Sequence, residues 1–231
     1  MRHLPSVAMS CTVVLGACAA HGADAETWSY EASPFLWAAG LDGRVSFNGP
    51  PVDVSAKFED LVDFANVGAA MRITARRPPI GWFGEASWME TNNQVATGAL
   101  KTVQTMAEGG LLYEFDPALA VYGGLRYQIV EGTLDSPVSG RARHSEEWLD
   151  GLVGARWTPL ASQNWVIWAR GDVGAGSSDL VWLLEAGGGY RWNVRWAAYM
   201  AYRVLDTDYG HAGFLYDVQQ SGLLLGFGFR Y

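Results

Sequence analysis

Hydrophobic and polar positions alternate with a period of two over stretches of about ten residues, the pattern of strands with one apolar face. The C-terminal stretch shows it best. Tyr231, Phe229, Phe227, Leu225 and Leu223 share one face, while Arg230, Gly228, Gly226, Leu224 and Gly222 share the other. A helix would mix the two sets; a strand separates them. The same split recurs upstream. Trp196, Ala198, Met200, Tyr202 and Val204 oppose Ala197, Tyr199, Ala201 and Arg203. Trp182, Leu184, Ala186, Gly188 and Tyr190 oppose Glu185, Gly187, Gly189 and Arg191. Leu119, Val121, Leu125, Tyr127 and Ile129 oppose Tyr122, Gly124, Arg126 and Gln128. Trp157, Ala155, Val153 and Leu149 oppose Arg156, Gly154, Leu152 and Asp150.

The connections alternate as well. Short ones fall at 76–81 (with Pro78-Pro79), 115–118 (Asp116-Pro117), 159–164 and 191–195 (around Asn193). Longer ones are expected at 90–100, 134–145, 174–179 and 206–216. Sorted by end, the aromatics fall into two groups. Trp28, Tyr30, Trp82, Phe115, Trp157, Trp165, Tyr190, Trp196 and Tyr231 lie at the short-turn end, and Trp37, Trp88, Trp148, Trp182 and Tyr209 at the other. Short turns on one side, long loops on the other and two aromatic girdles are the signature of a barrel crossing a bilayer, with the short turns periplasmic. A soluble barrel with an aromatic core is the competing reading; apolar outer faces on both halves of each hairpin argue against it. No apolar run of 18 residues follows residue 25, which disfavours a membrane-spanning helix.

The expected fold is therefore all-β, a transmembrane antiparallel up-and-down β-barrel of ten strands, with twelve or eight as alternatives. The N-terminal third decides the number. Trp28 to Trp37 reads as a strand, Gly40 to Gly43 as a turn or bulge, Asn48-Gly49-Pro50-Pro51 as a tight turn, and Glu59 to Phe64 as one helical turn. If 41–58 forms an extracellular hairpin the barrel has ten strands; if its arms enter the membrane it has twelve.

Composition adds export. Arg2 and His3, an apolar stretch and Ala23-Asp24-Ala25 lay out a signal peptide over residues 1–25, leaving 26–231 as the barrel domain. Both cysteines, Cys11 and Cys18, lie in this leader, so the exported chain has neither disulfides nor thiolate metal sites. Leu15-Gly16-Ala17-Cys18 also fits a lipoprotein processing site with Cys18 lipidated, a second reading that a barrel does not require. The formal charge is −8 and the only lysines are Lys57 and Lys101; nucleic acid is excluded as a partner. The 28 glycines suit a cramped barrel interior and its bends.

Alternation turns Arg72, Arg76, Arg126, Arg156, Arg170, Arg191, Arg203 and Arg230 inward, with Glu31, Glu85, Glu108, Glu114, Asp150, Asp172 and Glu185. Eight positive groups against seven negative make a nearly neutral lumen inside an acidic chain. The candidate site is a lumen charge network of Glu85, Glu108, Arg126, Asp150, Arg156, Arg170, Asp172, Glu185, Arg191, Arg203 and Arg230. Burying so many charges in a narrow barrel requires pairing, and the planar fork of Arg suits that duty better than Lys. Two readings follow: a salt-bridged plug of side chains, or a charged path for small solutes. The mixed sign argues against strong ion selectivity.

Catalytic constellations are thin, and no enzymatic activity, cofactor or metal is expected. Beyond the leader the only histidines are His144 and His211, both in proposed extracellular loops. His144-Ser145-Glu146 sets three catalytic residue types side by side, the basis of an alternative reading as a lipid-modifying enzyme. Adjacency is not triad geometry, which the fold assembles. Asp206-x-Asp208 beside His211 suggests either a metal site or a protease pair, though loop carboxylates at the rim would bind divalent ions weakly at best.

Several strings together carry a resemblance. They are Ser33-Pro34-Phe35-Leu36-Trp37 followed by Gly40-Leu41-Asp42-Gly43, Trp148-x-Asp150 with Gly154-x-Arg156, and Arg170-Gly171-Asp172. Tyr202-Arg203-x-Leu205-Asp206-x-Asp208-Tyr209 and Phe214-x-Tyr216-Asp217 complete the set. The chain resembles a family of small, porin-like proteobacterial outer-membrane β-barrel proteins, departing from its pattern at Gly151, where members often carry Pro. The resemblance implies an outer-membrane location and a porin-like or structural role, and brings no substrate or catalytic residue. Expected partners are outer-membrane lipid and lipopolysaccharide, and the barrel-assembly machinery through the C-terminal strand. A surface-loop binding or adhesion role is a further alternative.

Overall fold

A computed structural model describes residues 27–47, 50–56, 67–95, 98–136 and 140–231. The leader and cleavage site expected over residues 1–25, Cys18 with its alternative reading as a lipidation site, and the helical turn expected at 59–64 lie outside the described residues. The elements described are all strands: β1 (Ser29–Phe47), β2 (Val52–Ala56), β3 (Val67–Arg77), β4 (Ile80–Val95), β5 (Gly98–Glu114), β6 (Leu119–Ser136), β7 (Gly140–Ala161), β8 (Trp165–Gly176), β9 (Leu180–Arg191), β10 (Trp196–His211) and β11 (Phe214–Arg230).

From β3 to β11 each strand pairs antiparallel with its neighbour in sequence, and β1 pairs with both β3 and β11 to close the sheet. Closure removes the sheet edges that a bilayer would not tolerate. The short β2 pairs only with the upper part of β1, Leu41 to Val45 opposite Ala56 to Val52. It therefore extends the wall above β3 and does not add a turn of barrel. Ten of the described strands form the closed barrel, and Leu41–Val45 paired with Val52–Ala56 makes a hairpin at its upper end.

The outer wall is apolar on every side. Leu111 is 72% exposed, Val153 62% and Phe227 57%, with Leu36, Met71, Ile167, Leu184 and Met200 also exposed. Water would not tolerate a contiguous apolar belt round ten strands, whereas the hydrocarbon core of a bilayer matches it. Higher on the wall the outward residues become charged: Glu90 pairs with Lys101 at 2.6 Å and Arg44 with Asp217 at 2.6 Å.

Two expectations are corrected. The long connections expected at 90–100, 134–145, 174–179 and 206–216 are for the most part continued ladder. β10 and β11 stay paired up to His211 opposite Phe214, and β6 and β7 up to Ser136 opposite Gly140. At about 3.3 Å per residue, the 22 residues of β7 run far beyond the 9–11 or so needed to cross the bilayer. The end of the apolar outer face marks where lipid stops, not where hydrogen bonding stops. Second, Trp37, Trp148 and Tyr209 are only 3%, 3% and 5% exposed and point into the lumen, so they form no part of an upper girdle. Their alternation parity explains this, because Trp148 shares the face of Asp150 and Tyr209 that of Arg203.

Tight turns hold the opposite end, where the N-terminal strand and Tyr231 also lie. Asp116 Oδ1 accepts the amides of Ala118 and Leu119, at 2.7 and 2.9 Å, and Asn193 Oδ1 those of Arg195 and Trp196, both at 2.9 Å. Tyr30 stacks on Tyr231 with ring centroids 5.4 Å apart. At the far end β10 turns into β11 through Ala212 and Gly213, with φ of +47° and +92°, matching the double positive φ of the tightest hairpin turn.

Candidate functional site

The middle of the lumen is filled by four arginines and four carboxylates. Strand pairing places Arg72, Glu85, Glu108 and Arg126 in register on consecutive strands β3 to β6, and Arg170, Glu185 and Arg203 on β8 to β10. Glu85 and Glu108 are thus direct cross-strand neighbours of like charge, a destabilising pair if left alone. Arg170 answers this by donating to both, at 3.3 and 3.2 Å.

Every other contact in the cluster alternates in sign. Arg72 grips Glu185 through both terminal nitrogens, at 3.0 and 2.9 Å, and donates from Nε to Glu85 at 2.7 Å. Arg203 donates to Glu185 from Nε and Nη2, at 2.9 and 2.6 Å, and to Glu85 at 2.7 Å. Arg126 holds Glu108 at 3.0 and 2.7 Å and Asp172 at 2.8 Å, while the Tyr122 hydroxyl donates to Asp172 at 2.9 Å. The Trp168 indole donates to Glu185 at 3.3 Å. Phe35 lies under both Arg72 and Arg203, 5.5 and 5.3 Å from its ring centre, and Trp37 lies 5.4 Å from Arg203. Such contacts suit guanidinium, which is less strongly hydrated than ammonium.

Above this cluster the lumen stays closed. Gln128 accepts from Gln104 at 2.9 Å, and Gln104 accepts from Gln220. Higher still Trp148 stacks on Tyr209 at 4.3 Å, with Phe214, Tyr216, Val45, Val130 and Val218 packed around them.

The remaining candidate residues sit elsewhere. Arg230 lies near the short-turn end and pairs with Glu31 at 2.7 Å; Glu31 also accepts from Tyr199 at 2.7 Å. Asp150 lies on the other side of the cluster, where one carboxylate oxygen accepts the Ser178 amide at 2.8 Å. Arg156 and Arg191 form no ion pair among the described residues, and the Nε of each is buried without a hydrogen-bond partner. Both line a cavity of about 140 Å³ that lies beneath the charge cluster. The near neutrality of the lumen therefore hides a separation along its axis, with a balanced middle and surplus cation on the short-turn side. The sequence set omitted Arg72 from the network and missed Trp168, Phe35 and Tyr199 as its supports, although alternation parity places all four inward.

His144 and Glu146 face the same way and approach to 3.0 Å, while Ser145 is exposed on the opposite face of β7. The strand separates the three types that lie together in sequence. Asp206 and Asp208 face outward on the upper wall; Asp208 is pushed above the usual carboxylate range by partial burial and by Asp217, Asp179 and Asp206. Among the described residues no group of three or more acidic, His or Cys side chains could hold a metal ion.

A closed apolar wall round a lumen filled with paired charges defines a transmembrane β-barrel of the bacterial outer-membrane class. Neither a protein-family model nor a curated protein matches the chain in sequence. Solved structures match it in fold. The outer-membrane protease OmpT of Escherichia coli aligns with a TM-score of 0.51 at 9% identity, over 90% of this chain and 99% of that one. Ail, the attachment invasion locus protein of Yersinia pestis, aligns at 0.44 and 10% identity, over 89% and 99%. Neisserial surface protein A aligns at 0.39 and 12%, over 91% and 100%. At such identities the OmpT likeness shows the shared outer-membrane barrel fold and nothing of its chemistry.

Proposed function

We propose that this protein is a closed, structural barrel of the outer membrane, surrounded by lipid and lipopolysaccharide, which supports envelope integrity and carries no solute flux. One observation carries the reading: Arg126 and Arg203, at the centre of the lumen, are 0% exposed, their charges matched by buried carboxylates. An open pore would leave such groups wet. Opening a path requires separating several ion pairs at once, each costly to break singly.

Reconstitution into planar bilayers tests this directly. The wild type is expected to give no steady conductance in 1 M KCl, and Arg126→Ala or Arg203→Ala to give intermittent current steps. A stable ohmic conductance from the wild type refutes the closed reading in favour of a narrow pore.

A further inference from the structure

The cavity beneath the charge cluster is lined by five arginines, Arg72, Arg76, Arg156, Arg191 and Arg230, against two glutamates, Glu31 and Glu185. The carboxylates nearby are already engaged. Glu31 is held by Arg230 and Tyr199, Glu185 by Arg72 and Arg203. At the rim Glu114 faces Arg76 at 3.7 Å, and Asp116 caps the backbone of its own turn. Arg156 and Arg191 are left over: among the described residues neither has an ion pair and the Nε of each is buried without a partner, Arg191 donating only from Nη1 to the Ser162 carbonyl at 3.5 Å. A cation without a counter-charge in a largely enclosed chamber is expensive, and Asp150, the one inward carboxylate without an ion pair among the described residues, lies on the far side of the cluster. The protein thus carries cation in this chamber that its own acids do not neutralise.

The rest of the wall narrows the ligand. Trp168, Phe35, Tyr199 and Leu224 form an apolar and aromatic side. The volume, about 140 Å³, is close to that of an engineered cavity of roughly 150 Å³ that takes benzene. Residues from the short turns and strand ends, Pro117, Ala161 and Arg191, also line the chamber, so it communicates with the periplasmic end of the barrel.

We infer that this chamber is a periplasm-facing binding site for a small organic anion, a carboxylate or phosphate gripped by Arg156 and Arg191 with its body against Trp168 and Phe35. Guanidinium forks match both oxyanions with paired hydrogen bonds. The site lies beneath the charge cluster and is reached from the short-turn end. It stands whether or not the barrel above conducts.

Calorimetric titration of the folded, detergent-solubilised barrel provides the test, with sodium benzoate and sodium phosphate as probes and benzyl alcohol as the uncharged control. At least one of the two anions is expected to bind with 1:1 stoichiometry, and benzyl alcohol to bind at least tenfold more weakly, a margin of about 1.4 kcal/mol. Arg156→Gln and Arg191→Gln should each weaken the anion about tenfold or more, whereas Arg141→Gln, on the exposed far end, should not. A second readout guards against misfolding. Without ligand, Arg156→Gln should match or exceed the wild-type unfolding temperature, because it removes an unmatched charge. Binding of neither anion, equal affinity in the arginine variants, or a less stable ligand-free Arg156→Gln barrel would each overturn the proposal.

Discussion

Replacing Arg126 by Met removes one cation from the centre of the barrel while keeping most of its volume. Glu108 then keeps only Arg170, at 3.2 Å, and Asp172 only the Tyr122 hydroxyl, at 2.9 Å. Both carboxylates are nearly inaccessible, 6% and 5% exposed. At an effective dielectric constant near 20, a unit pair at contact is worth about 4 kcal/mol, and breaking a buried pair from one side typically costs about 3–5 kcal/mol. A loss of about 4 kcal/mol is therefore expected, read as a lower urea midpoint with unchanged slope, using tryptophan fluorescence of the barrel folded in lipid vesicles. The double variant Arg126→Met/Asp172→Asn should recover at least half of that loss. It leaves no unmatched charge at position 172, and Asn still accepts the Tyr122 hydroxyl. A single variant within about 1 kcal/mol of wild type, or a double variant no better than the single one, would refute the charge-matching account.

Other consequences are local. A Cβ on Gly124 would collide with the Gly109 carbonyl and lie 2.8 Å from the Gly110 Cα, so Gly124→Ala should cost about 1–3 kcal/mol. Gly151→Ala, whose nearest neighbour would lie at 3.8 Å, should be tolerated; equal shifts in heat-modified gel migration would contradict the close strand approach. Ala212→Asn should stabilise the β10–β11 hairpin by about 0.5–1 kcal/mol, since Asn adopts positive φ more readily; a lower unfolding midpoint would rule out the double-positive turn. Asp208 has a raised folded-state pKa, so it destabilises the fold once ionised, and that effect vanishes below the unfolded value of about 3.9. Asp208→Asn should therefore raise the unfolding temperature modestly at pH 7 and leave it unchanged at pH 3; an equal gain at both would show that charge is not the cause.

Period-two alternation made the barrel legible because lipid and a cramped interior impose opposite demands on successive residues. Leu225 and Phe227 must meet hydrocarbon while Leu224, Gly226 and Gly228 must fit inside. Parity also fixed which charges turn inward, and followed through it would have set Trp37, Trp148 and Tyr209 inside. Sorting these aromatics by height alone sent them to a girdle. Strand length was not legible beyond the bilayer, because charged outward residues such as Lys101 and Asp217 suit a loop and a solvated ladder equally.

What the chain determines by itself is thus the wall: its closure, its lipid-facing side and the set of groups consigned to the lumen, all local consequences of a two-residue repeat. Which charge meets which was decided only by tertiary structure. Arg72 reaches Glu185, 113 positions away, because barrel closure and register bring β3 and β9 face to face across the lumen. The same register set four arginines against four carboxylates in the middle and left Arg156 and Arg191 over at one end. A local sequence pattern counts the charges and orders them along each strand, but the register that sets one strand's charges level with another's is fixed only when the sheet closes.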